Sequence, residues 1–247
     1  MLKALKIELL KIKGSKVLFI ATLFPIFSVL QGVMFLQYVK RSGESFEFWR
    51  MLFSGSTFFY ATLLFPMIII LVFAIITRLE HINNGWNQVL TFPIKRKNVY
   101  LSKLLLGCII IFLNLAVFSI GIIIAGLILG GDVNIPYNII LGKPILAFLS
   151  SLPIISFQFF LSIKFKHIGV PLGIGSALTL PVILVINSTK YWIVYPFAYP
   201  MIAITPNLVT LSEKQILKHY LMYGISGLIF IIVIGIGLLK FKNKDII

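Results

Sequence analysis

Acidic side chains are scarce in this chain. Seven Asp and Glu stand among 247 residues, against twenty-two Lys and Arg, and charged residues make up only 12%. A soluble domain carries about 25%, so this chain has too little charge to solvate the surface of a globule in water. Cysteine is nearly absent, and a lone Cys108 excludes an intramolecular disulfide. His81, His167 and His219 are isolated from one another, and no HExxH, CxxC or GxSxG pattern occurs, so no metal site and no nucleophile constellation is expected. A phosphate-cradling Walker A loop is missing as well. Gly142-Lys143 is followed by Pro144, and Tyr137 stands where the leading glycine belongs. The chain is expected not to be an enzyme.

What the sequence does hold is apolar length. Hydrophobic residues are 59% of the total and the mean hydropathy is +1.04. Runs near 17–38, 53–77, 104–129, 144–163, 169–186 and 220–239 each approach the roughly 20 residues that cross a 30 Å hydrocarbon core at 1.5 Å per residue. The reading is an all-α integral membrane protein with six transmembrane helices, forming one domain over residues 1–247. The first run exceeds the 7–15-residue core of a cleaved signal, so it is expected to be retained.

The formal charge of +15 does not point to nucleic acid, because the cations sit at the ends of apolar runs instead of on one soluble face. With the N-terminus inside, the cytoplasmic segments hold fifteen Lys and Arg and the outer ones seven. The positive-inside rule then places both termini in the cytoplasm. All seven acids fall outside the apolar runs, whereas ion-coupled carriers place an ionisable group within the membrane. Gln31, Asn114 and Gln158 are the polar residues of note inside the runs. They either bond between helices or line a path.

Three other segments stand out. Residues 2–13 put Leu2, Leu5, Leu9 and Ile12 on one stripe of a basic helix suited to the membrane interface. From Glu80, the spacing of Ile82, Trp86, Val89 and Leu90 predicts a second amphipathic helix with Asn83, Asn84, Asn87 and Gln88 on its other faces. Pro93 ends that helix, Arg78 precedes it, and Lys95, Arg96, Lys97 and Lys103 follow as interfacial cations. Trp86 is placed either to anchor in a partner's pocket or to anchor in headgroups. Residues 187–219 are aromatic and proline-rich. They are read as an interfacial or re-entrant excursion with Tyr191, Trp192, Tyr195 and Tyr199 at headgroup level, or as a packed cap without a ligand role.

The basic N-terminal helix with Glu8 and Lys11, the loop RLEHINNGWNQVLTFPIKRKNVYLSKLL and the aromatic-proline stretch together resemble the permease subunits of type-2 ATP-binding-cassette exporters. The branch resembled is that of lantibiotic self-immunity, with the bacitracin-resistance permeases close by. The resemblance runs along nearly the whole chain and is most specific at Glu80, Trp86, Leu90, Pro93, Arg96, Tyr100 and Lys103. It implies that residues 2–13 are an elbow helix. It also implies that Glu80 to Phe92 is a cytoplasmic coupling helix, with Glu80, Asn83, Trp86, Asn87, Leu90 and Pro93 meeting a separate nucleotide-binding ATPase subunit. ATP and Mg would be held by that partner, with no cofactor on this chain. A second permease copy or a related permease would complete the transporter in the bacterial cytoplasmic membrane. An antimicrobial peptide would be the substrate, with Tyr191, Trp192, Tyr195 and Tyr199 as its outer contacts. Two other classes compete: a stand-alone peptide-binding immunity protein and an ion-coupled carrier.

Overall fold

The computed structural model describes residues 2–12, 15–42, 47–81, 95–132, 134–188, 191–205 and 213–242. Among these the chain is helical, without a strand. The N-terminal helix, Leu2–Ile12, is closed by Ser15, whose amide and hydroxyl both donate to the Ile12 carbonyl, at 2.8 and 2.9 Å. The first span, Val17–Ser42, carries Pro25 inside it. The second runs from Phe48 to Glu80 and the third is Arg96–Ile128. The fourth is a bent pair, Asn138–Ser150 and Leu152–Lys164, angled by 46°. A fifth, Gly169–Ile186, is interrupted at Pro181, and the last helix is Glu213–Lys242. Five helices are long and apolar enough to cross a membrane, and six if the bent pair is one span.

Helices overrun the apolar windows that the sequence marks. The third begins at Arg96, eight residues before the expected 104, and the second covers Phe48 to His81 where 53–77 was expected. The backbone hydrogen-bond ladder does not stop where the hydrocarbon does, and the cations of the extra turns keep helical geometry.

Prolines explain the irregular turns. A π-helical segment, Tyr60–Leu64, ends two residues before Pro66, and a second, Asn138–Gly142, ends two before Pro144. A proline ring within a helix clashes with the carbonyl four residues back, and a widened turn relieves that clash. The third helix ends differently. Gly130 adopts φ +78°, the Gly131 amide donates to the Gly126 carbonyl at 2.9 Å and the Gly130 amide to Leu127 at 3.2 Å. This is a Schellman stop, which requires a residue free to enter the left-handed region.

The second span is the axis of the bundle. Two-thirds of its apolar window is buried (67%), against 39% for the third, 33% for the first, 22% for the fifth and 17% for the last. Phe53, Tyr60, Phe65 and Phe73 all point into the core. Tyr60 stacks on Phe118 of the third span at 4.1 Å and donates to Asn114 Oδ1 at 2.6 Å, while Asn114 Nδ2 donates to the Ala21 carbonyl of the first span. Gln158 Nε2 donates to the Pro171 carbonyl at 3.0 Å, tying the fourth span to the fifth. Both residues therefore bond between helices. This is the use expected of polar groups that would otherwise sit unsatisfied in hydrocarbon.

At the end of the bundle away from the N-terminal helix, Trp49 Nε1 donates to the Asp132 carbonyl at 3.0 Å. There too the aromatic-proline stretch forms short turns, Trp192–Val194 and Pro196–Ala198, and a helix, Tyr199–Ile204, packed on the fourth span.

Candidate functional site

The end of the bundle that carries the N-terminal helix holds four charged side chains in one cluster. They come from three elements. The N-terminal helix buries Ala4, Glu8 and Ile12, spaced four apart, against the start of the third span, and leaves Ile7, Leu9 and Leu10 exposed. The interface-facing stripe expected through Leu9 and Ile12 is thus divided, with Leu9 outward and Ile12 inward. Small Ala4 lets the helices approach, which brings the carboxylate of Glu8 onto Lys103.

Lys103 is completely buried, and its Nζ lies 2.7 Å from Glu8 Oε2 and 2.8 Å from Glu80 Oε1. Glu80, at the end of the second span, also receives Lys11 Nζ at 2.6 Å. Lys11 in turn stands 3.5 Å from Glu8 Oε1. Two carboxylates and two ammonium groups therefore alternate, with no net charge. A buried ion is costly unless paired and hydrogen-bonded, and here each acid meets both cations. Burial on its own would lower the pKa of Lys11, but the hydrogen bond to Glu80 and the charges of Glu8 and Glu80 outweigh it, and the ammonium is held above its ordinary value.

This arrangement corrects one expectation. The acids were all placed outside the apolar runs, but Glu80 is buried within the second-span helix, and Lys103 is buried too instead of lying at the interface with the other cations. The longer helices bring both groups under the N-terminal helix, and opposite charge makes their burial tolerable. Arg78, Lys95 and Lys97 are exposed as interfacial cations are. Arg96 donates to the Lys242 carbonyl at 3.0 Å, joining the third span to the last. Tyr100 packs on Phe159 and Phe241, and its hydroxyl reaches the Ile234 carbonyl at 3.5 Å. A Cβ on Gly237 would stand 2.3 Å from the Tyr100 hydroxyl, so the last span approaches closely there.

The first turn of the third span is therefore a junction. Arg96 and Tyr100 hold the last span, and Lys103 holds the second span and the N-terminal helix. Asn83, Trp86, Asn87, Leu90 and Pro93 lie outside the described residues, on a segment whose two flanks are joined through Glu80 and Lys103.

The four aromatics expected at the opposite end do not share one face. Tyr191 is 72% exposed, whereas Trp192 and Tyr199 are buried with Ala203 and Met222. Tyr199 donates to the Ile193 carbonyl, and half-buried Tyr195 donates to the Leu178 carbonyl at 2.6 Å. Only Tyr191 of the four is free to meet a ligand directly from solvent or lipid.

The sequence reading named Glu8 and Lys11 but missed that they complete this cluster. The available signal was Glu8 itself, the only acid on a helix that also carries Lys3, Lys6 and Lys11. Trp49 and Asn114 gave no sign of their partners, which are backbone carbonyls far away in sequence.

Comparison with known proteins bears on these residues. Residues 4–182 match the family model described as ABC-2 family transporter protein. The match covers the charge cluster and the first through fifth spans, and ends before the aromatic-proline stretch and the last helix. No curated protein matches the chain.

Proposed function

The chain belongs to the ABC-2 family of transporter proteins, and from that premise we propose that it is the permease of an exporter that expels antimicrobial peptides of the lantibiotic type from the membrane. Family membership makes it a multi-pass ABC transporter permease that pairs with an ABC ATPase subunit. In our reading both termini and residues 82–94 face the cytoplasm of a bacterial cell. The N-terminal helix is the elbow, the segment after Glu80 is the coupling helix, and ATP with Mg is bound and hydrolysed by the partner alone.

One observation carries the coupling role. The flanks of residues 82–94 are joined by the Glu80–Lys103 pair, and that pair is shared with Glu8 and Lys11 of the N-terminal helix. A force on the segment is then delivered to the second span, the third span and the N-terminal helix together, because none can move without parting buried opposite charges. The junction at Arg96 and Tyr100 passes it to the last span. A differential contact of this kind is what an ATP-driven change of state requires.

The test is reconstitution with the ATPase subunit encoded beside it. Trp86→Ala is expected to leave the permease folded while lowering peptide-stimulated ATP turnover and protection of cells. Turnover and protection at the parental level would remove the coupling role. A cysteine placed at Asn87 in a Cys108→Ser background is expected to resist an impermeant thiol reagent until the cells are opened. The same experiment separates the competing classes, since a stand-alone peptide binder or an ion-coupled carrier protects cells without any ATPase.

A further inference from the structure

A groove of about 790 Å³ runs between the first and second spans, at the end of the bundle opposite the charge cluster. Its floor exists because two helices approach closely there. A Cβ on Gly32 would fall 1.9 Å from Ser56 Oγ, and one on Gly55 would fall 2.6 Å from the Phe35 ring. Its walls are apolar and open to the bilayer side: Met34 is 71% exposed and Phe59 52%. Two polar groups interrupt them. Gln31, half-buried near the middle of the first span, makes no hydrogen bond with any described residue. Arg50, at the groove's end, has its Nε 3.1 Å from Glu47 Oε2, but the Nε is buried and no described residue accepts a hydrogen bond from it.

We propose that this groove is a binding site for an anionic phospholipid, whose phosphate is held by Arg50 and whose acyl chain lies along Met34, Phe35 and Phe59. The volume lies within the roughly 300–1,000 Å³ of small-molecule sites. Lys40 and Arg41 close the first span beside Arg50, so cations outnumber acids from residue 40 to 50. A guanidinium with unspent donors in an apolar setting calls for a planar oxyanion, which phosphate supplies. The amide of Gln31 lies deeper, where the ester region of the same lipid offers acceptors. A second copy of this chain fits less well. The fifth and last spans are less enclosed than the first, leaving a wider face for a helical partner elsewhere, and another apolar helix brings Arg50 no anion.

The site does not depend on the ATPase reading and is tested without a partner subunit. The full chain is placed in phosphatidylcholine vesicles containing a trace of phosphatidylglycerol with a photoactivatable acyl chain, then illuminated and mapped by peptide mass. Adducts are expected on the Met34–Phe35 and Phe58–Phe59 segments. Unlabelled phosphatidylglycerol should compete them away, and excess phosphatidylcholine should not. Arg50→Gln should lower the yield roughly three- to tenfold, the worth of one partly exposed charge-assisted hydrogen bond, and Arg50→Lys should restore most of it. Labelling that is indifferent to Arg50→Gln and equally competed by phosphatidylcholine would mark ordinary boundary lipid and overturn the site. So would a lack of adducts on these segments, the result expected if a second copy or a peptide fills the groove.

Discussion

The two ends of this bundle are held together by different physics. At one end, Glu8, Lys11, Glu80 and Lys103 close three elements with ion pairs at 2.6–2.8 Å. At the other, Trp192, Tyr199, Ala203 and Met222 form a small apolar cluster, supported by neutral hydrogen bonds to backbone carbonyls. Apolar packing is tolerant, because a side chain that shifts still finds other apolar atoms or lipid. Paired buried charges are not tolerant, because a separated ion in that setting has no substitute partner. The charged end is thus suited to moving as one unit, and the aromatic end to local adjustment.

The most severe way to break this contrast is Lys103→Met. It leaves two buried carboxylates with Lys11 alone, and a loss of about 3–5 kcal/mol in unfolding free energy is expected, the range for orphaning a buried partner. Adding Glu8→Gln to Lys103→Met should recover part of the loss, since Glu80 keeps Lys11. Thermal unfolding in a fixed detergent measures both, and strict additivity of the two changes would argue that the cluster does not act as a unit.

Trp192→Ala at the aromatic end is expected to cost less, about 2–3 kcal/mol. This falls below the value for a soluble core because lipid can refill part of the space. Should it cost more than Lys103→Met, the proposed difference between the ends would be reversed. Tyr199→Phe removes only a hydroxyl bonded to the Ile193 carbonyl, and about 1 kcal/mol is expected. Limited proteolysis within residues 206–212 should register it before global unfolding does.

The smallest effect concerns pH. The pKa of Lys11 in the folded protein is raised above 10.5, so its contribution is complete below about pH 10.5 and is lost as pH rises through the raised value. Between neutrality and pH 9, the attachment of the N-terminal helix should therefore be insensitive to this group. Accessibility of a cysteine placed at Leu5, measured as pH is raised, checks this. Release near neutrality would show that Lys11 is not paired in the folded state.

Much of the architecture was legible beforehand. The apolar runs coincide with the observed helices, and the Gly130-Gly131 stop lies where the sequence marks a turn. Proline positions were visible too, but only the structure shows Pro66 and Pro144 answered by π-helical turns and the fourth span bent ahead of Pro153. Of the candidate site, Glu80 and Lys103 were marked individually, by their place around a polar loop and by resemblance. Their partnership was not visible. Among the aromatics, one composition covers exposed Tyr191 and buried Tyr199 alike, because the short turns around Pro196 and Pro200 set direction residue by residue.

Hydrophobic length and the distribution of charge are properties of the chain read in one dimension. The sequence alone therefore determined that this is a helical membrane protein, where its helices begin and end to within a few residues, and which of its ends is basic. Pairing is a property of three dimensions. Lys103 meets Glu8 across 95 positions and Glu80 across 23, and only the packing of the N-terminal helix over two neighbouring spans decides that these charges share one dry site.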